Sequence, residues 1–133
     1  MAKKILVVDD ELDTRVFVTT LLKSKGFKAL SASDGLEGME VARREKPNLI
    51  ILDVMMPKES GFNMYRQLKN DPDLKAVPVI MLSALSRKAV FHSLKVLDEF
   101  MDEKTPDPEV YMEKPPDSEE LLEAVQSHIN PNG

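Results

Sequence analysis

With 133 residues the chain has room for one domain and little more. Its 42% hydrophobic content supports a packed core, and the absence of cysteine excludes a disulfide framework or a zinc–thiolate site. A net charge of −5 with scattered basic residues argues against nucleic-acid binding, and no apolar stretch has the length of a membrane span or the form of a secretory signal. A single cytoplasmic domain over residues 1–133, with its core at about 4–129 and no effector domain, is the expectation.

The first strand is predicted at Ile5-Leu6-Val7-Val8, a β-branched run that ends abruptly in Asp9 and Asp10. Phe17, Val18, Leu21 and Leu22 then recur at helical spacing, and Gly26 is placed to stop that helix. Lys28 to Ser31 is a weaker strand. Gly35 to Glu45 reads as a second helix, with Asp34 as its cap and Pro47 just past its end. Leu49-Ile50-Ile51-Leu52 is the third strand and ends in Asp53, and Asn63 to Lys69 gives a short third helix. Val77 to Leu82 ends in Ser83, and Arg87 to Met101 forms the fourth helix. Residues 102–109 are acidic, carry two prolines and hold no apolar residue, which predicts a mobile loop. Val110 to Met112 makes a short fifth strand leading to Lys114, and Glu119 to Ile129 a fifth helix.

The apolar runs lack polar alternation, so they read as strands buried on both faces. Five βα repeats of this kind predict a doubly wound α/β fold. Right-handed crossovers favour a parallel five-stranded sheet in the flavodoxin-like order 2-1-3-4-5, with helices on both faces. Ligands bind such sheets beyond the carboxyl ends of the strands. Asp9, Asp10, Asp53, Ser83 and Lys114 all fall at that edge.

Three carboxylates gathered in one pocket repel one another unless a cation sits among them. Oxygen ligands without His or Cys favour Mg²⁺. A carboxylate can form an acyl phosphate, and phosphoryl transfer needs mainly positioning and neutralised charge. Mg²⁺, Lys114 and Ser83 could each meet one oxygen of a phosphoryl group carried by Asp53.

Four pieces in order make the chain resemble the receiver domains of bacterial two-component response regulators, the CheY-like family. They are Val7-Val8-Asp9-Asp10-Glu11, Asp53-Val54-Met55-Met56-Pro57 with Gly61, Leu82-Ser83-Ala84, and Lys114-Pro115. The resemblance implies that Asp53 is the phosphoacceptor, that Asp10, Asp53 and the Met55 carbonyl hold Mg²⁺ directly, and that Asp9 holds it through water. It implies that Ser83 moves toward the phosphoryl group, that Tyr111 turns inward with it, and that Lys114-Pro115 is cis. It also implies a sensor histidine kinase or phosphotransfer protein as donor, and a protein target as recipient of the signal. On this reading the chain is a switch and not an enzyme.

The chain departs from the family between Ser83 and Tyr111, where it is longer, and it lacks the usual Gly-Ala pair before the fifth strand. Val90, Leu94, Leu97 and Met101 form an apolar stripe that would bury the fourth helix, with Phe91, Val96 and Phe100 beside it. Either the long loop covers this wide arc, or it docks a partner or a second copy of the domain. Met55 and Leu85, both apolar and each two residues past a site residue, predict slow loss of phosphate. His92 and His128 read as solvated.

Rival readings are weaker. A degenerate receiver that binds partners without phosphorylation would not need all of Asp9, Asp10, Asp53, Ser83 and Lys114. An aspartyl-phosphate hydrolase would need a general acid where Val54 and Met55 stand, and a cap domain. No glycine-rich loop follows the first strand to hold a nucleotide.

Overall fold

The computed structural model describes residues 2–56, 60–102 and 104–129. Five strands, β1 (Lys4–Val8), β2 (Lys28–Ala32), β3 (Leu49–Asp53), β4 (Val79–Ser83) and β5 (Val110–Glu113), alternate with five helices. These are α1 (Leu12–Ser24), α2 (Gly35–Glu45), α3 (Ser60–Asn70), α4 (Arg87–Met101) and α5 (Ser118–His128). The strands are all parallel, in the order β2-β1-β3-β4-β5. This is the flavodoxin-like order expected from the βα repeats.

Alternation along the central strands splits the core into two layers. Leu6, Val8, Ile50 and Leu52 face a cluster with Met39, Met64, Tyr65, Leu68, Val90 and Leu94, drawn from α2, α3 and α4. Ile5, Val7, Leu49 and Ile51 face the opposite cluster, with Val18 and Leu22 of α1 and Leu121 and Val125 of α5. Both faces of β3 and β4 are thus covered, which is why their sequences are apolar without alternation.

Local chemistry sets the helix ends. Asp34 accepts the Glu37 N–H at 2.8 Å, and the Glu37 carboxylate reaches back to the Ser33 N–H at 2.6 Å. Ser86 and Asp117 cap α4 and α5 by accepting from Ala89 and Glu120. Gly26, at φ +88°, follows α1 and supplies the left-handed turn that a side chain would strain.

Several sequence expectations need correction. β4 begins at Val79 and not Val77, because the Val77 N–H closes a turn onto Leu74 and Pro78 has no N–H to give a ladder. α3 runs from Ser60 to Asn70, longer than expected, and α5 lies one residue earlier at each end. Phe17 is exposed on α1, where Val18 and Leu22 alone are fully buried. On α4 the stripe stops short. Val90 and Leu94 are buried and Leu97 half-buried, but Met101 is 51% exposed, where the helix turns left-handed at Asp102.

The acidic loop after α4 is tied down at several points. Thr105 donates through its N–H and its hydroxyl to the Asp98 carboxylate, at 3.0 and 2.5 Å. The buried Tyr65 donates its hydroxyl to the Pro106 carbonyl. Glu109 pairs with Val79 in both directions, at 2.7 Å through its side chain and 3.1 Å through its N–H. Lys69 lies 3.7 Å from Glu109 and donates to the carbonyls of Lys75 and Val77. The loop folds back as one of the expected readings had it. It still leaves Phe100 85% exposed and Val96 exposed.

Candidate phosphoacceptor site

Three strands deliver polar residues to one edge by the same local device. Asp9 follows β1, Asp53 ends β3 and Ser83 ends β4, and each turns the chain by accepting the N–H two residues on. Asp9 Oδ1 takes the Glu11 N–H at 2.8 Å, Asp53 Oδ1 the Met55 N–H at 2.9 Å, and Ser83 Oγ the Leu85 N–H at 3.0 Å. One oxygen of each carboxylate is used to fix its rotamer, and the second is left to face the centre of the edge.

Lys114 occupies that centre. Its Nζ lies 2.7 Å from Asp9 Oδ2, 2.8 Å from Glu11 Oε1 and 3.1 Å from Asp53 Oδ2. The Lys114 N–H bonds the Ser83 carbonyl at 2.8 Å, tying the end of β5 to β4, and the Lys114–Pro115 peptide is cis. Asp9, Asp53 and Ser83 are buried, while Asp10 is exposed at the mouth.

Burial pushes the Asp53 carboxyl up to about 6. The Met55 N–H opposes that rise, the Asp9 charge adds to it, and Lys114 also opposes it. For Lys114, burial works against the charge, but its contacts with Asp9, Glu11 and Asp53 prevail and hold its pKa above the usual lysine value. The same ammonium draws the Glu11 carboxyl below its usual value.

Asp9, Asp10, Glu11 and Asp53 each offer an oxygen, all within 4.8 Å of one another. A donor set made only of carboxylate oxygens fits a hard divalent cation such as Mg²⁺. Met55, whose N–H is fixed on Asp53, brings its backbone beside the same cluster, and its side chain is 47% exposed. Gly61 makes this edge possible. A Cβ there would lie 2.4 Å from the Asp53 carbonyl oxygen and 2.5 Å from Val54 Cα, so α3 can start only against a glycine.

Tyr111 is half-buried. Its hydroxyl donates to the Leu85 carbonyl, its ring lies 6.0 Å from that of Phe91, and burial raises the phenol's pKa while a hydrogen bond with Ser83 lowers it. The edge therefore gathers every side chain expected there: Asp9, Asp10, Asp53, Ser83, Lys114 and, one layer back, Tyr111. Glu11 was not among the expected site residues, although it is the third acid in the row after β1. A glutamate at a helix start is ordinary, and only the fold shows that it meets Lys114. Phe91 packs between Tyr111 and the Arg87 guanidinium, which lies 5.0 Å from its ring centre. It backs the site through Tyr111 while remaining half-buried. Pro57 of the expected motif lies outside the described residues.

A parallel doubly wound sheet with a carboxylate cluster and a half-buried lysine at its carboxyl edge defines the class, a two-component signalling receiver. The chain matches the family model of the response regulator receiver domain over residues 5–126 and belongs to that family. PilG of Pseudomonas aeruginosa is 34% identical over 126 residues, which span 95% of this chain and 87% of PilG. The chemotaxis response regulator CheY4 of Vibrio cholerae has the same fold, with a TM-score of 0.80 at 26% identity, over 97% of this chain and all of that one (100%). The "Probable transcriptional regulator ycf27" of Porphyridium aerugineum is 45% identical over 84 residues, covering 63% of this chain and 34% of that protein. The chain thus matches about a third of the length of that relative. Among the described residues, no helix is long and apolar enough to cross a membrane.

Proposed function

We propose that Asp53 accepts a phosphoryl group in a Mg²⁺-dependent reaction, and that the resulting change is read by another protein. The observation that carries this is the Asp53 carboxylate itself. It is 2% exposed, one oxygen is locked by the Met55 N–H, and the other is aimed at an ammonium in a cluster of carboxylates. Such an oxygen can attack phosphorus. An O–P bond forms as the bond to the donor's leaving atom breaks, and that atom keeps the electron pair.

Asp10, Asp53 and the Met55 carbonyl would hold Mg²⁺, with Asp9 acting through water. Bound there, the cation supplies positive charge for the oxygens of the transferring group. Lys114 contributes a second positive charge from the protein, and the Ser83 hydroxyl can meet a third oxygen once it leaves the Leu85 N–H. Tyr111, bonded to Leu85 O, would follow that movement and carry it to Phe91 and α4. The edge thus biases an equilibrium between two packings.

A sensor histidine kinase or phosphotransfer protein is the donor this chemistry suits, and a cytoplasmic location accords with it. We read residues 1–133 as one receiver domain that acts as a switch and not as an enzyme. With Met55 and Leu85 beside the acceptor, loss of phosphate should be slow, which a phosphate-release time course measures directly. Incubation with acetyl phosphate and Mg²⁺, then trapping with hydroxylamine and peptide mapping, tests the assignment. The expected product is a hydroxamate at Asp53. A hydroxamate at another carboxylate would overturn it.

A further inference from the structure

We propose that Glu11 is a positioning residue that competes with the incoming phosphoryl group for Lys114 and so restrains the rate of phosphorylation. The inference rests on reading Asp53 as the acceptor. An ammonium has three donors. In the resting site all three have carboxylate neighbours, Asp9 at 2.7 Å, Glu11 at 2.8 Å and Asp53 at 3.1 Å. Glu11 and Asp53 accept hydrogen bonds from it while Asp9 Oδ2 stands close without one, so an incoming phosphoryl oxygen competes with these carboxylates for the ammonium.

The three contacts differ in what they can yield. Asp9 and Asp53 are buried, and each is fixed through its other oxygen by a backbone N–H. Glu11 is exposed, sits in the β1–α1 turn just ahead of Leu12, and holds the ammonium from the solvent side. It also lines a cleft of about 520 Å³ with Asp13, Thr14, Phe17, Lys114, Pro115 and Pro116. A carboxylate on that side competes with a phosphoryl oxygen for the ammonium. Glu11 is near enough to the other carboxylates to belong to a cation's ligand set. Its engagement with Lys114 favours the positioning role, and the test separates the two.

Adduct formation from acetyl phosphate at saturating Mg²⁺ is compared in wild type, Glu11→Gln and Asp13→Asn. Asp13 is an exposed acid on the same cleft and controls for the loss of one negative charge. Glu11→Gln should raise the rate about threefold, the scale of a partly exposed ion pair, with Asp13→Asn much smaller and the calorimetric Mg²⁺ affinity unchanged. An unchanged rate, an equal effect from Asp13→Asn, or weakened Mg²⁺ binding in Glu11→Gln would each overturn the proposal. The ¹⁵N resonance of the Lys114 ammonium gives a second readout without phosphoryl chemistry. It should shift in Glu11→Gln and not in Asp13→Asn; no shift overturns the proposal even if wild type takes no phosphoryl group. Failure of wild type to form the adduct would instead indict Asp53 as the acceptor.

Discussion

The carboxyl edge of the sheet and the stretch from α4 to β5 hold their polar groups in opposite ways. At the edge, Asp9 and Asp53 are buried with one oxygen satisfied by a backbone N–H and the other turned toward Lys114. Charge is concentrated there and balanced by one ammonium. Around the loop after α4, the carboxylates of Asp98 on α4 and Glu109 ahead of β5 act as anchors, receiving Thr105 and Val79 and tying the loop to α4 and β4. The first region stores unfavourable electrostatics that a ligand can relieve, while the second settles its charges locally. The difference places the chemistry at the edge and leaves the loop as a brace on the distal end of α4, with the Tyr111–Phe91 contact at the proximal end.

The comparison is most easily broken at Gly61. Gly61→Ala should destabilise the fold on the order of 3 kcal/mol, because a methyl cannot fit against the backbone of Asp53 and Val54. A denaturation midpoint near wild type would show that α3 can back away from the edge. Next comes Lys114→Ala, which should slow adduct formation on the order of a hundredfold, since the acceptor loses the protein's own cation. A rate within a few-fold of wild type would mean that the lysine is only a structural counter-charge.

The stored electrostatics also have a pH signature. Burial pushes the folded carboxyl of Asp53 up to about 6 from its ordinary value of 3.8, so the folded state keeps a proton that the unfolded chain has already lost. Below the unfolded pKa this group costs nothing. As pH rises through the window from about 4 to about 6 that relative stability is lost. Without metal, Asp53→Asn should therefore be more stable than wild type at pH 7.5, on the order of 2 kcal/mol, with the gap closing toward pH 4. A gap that does not change with pH would contradict the burial account. Tyr65→Phe is the mildest test. It removes the bond to Pro106 and should cost about 1 kcal/mol, with adduct formation unaffected. Slower phosphorylation in that variant would couple the brace to the edge and erase the division drawn between them.

Much of the edge was legible because strands buried on both faces stand out as apolar runs, and the residue that ends each run lands on the same side of a parallel sheet. Asp9, Asp53 and Ser83 follow from that rule alone, whereas Lys114 stands two residues past the short fifth run and was marked by the Lys114-Pro115 pair of the family motif. Glu11 did not, because its role depends on where Lys114 comes to rest 103 residues later. That the loop after α4 folds back was one of two readings the sequence left open, since its anchors Tyr65, Lys69 and Asp98 lie on other elements. Met101 fell on the helical stripe of α4 but lies outside the packed core, because periodicity gives a face and not the length over which that face is covered. The exact start of β4 turned on Pro78, whose missing N–H outweighed the apolar character of Val77.

Intact mass measured after incubation with a small phosphodonor, with and without Mg²⁺ and beside Asp53→Ala, tests the central claim most directly. The account predicts one phosphoryl adduct that requires Mg²⁺ and is absent from the variant. No adduct on wild type, or an adduct that persists in Asp53→Ala, would contradict it.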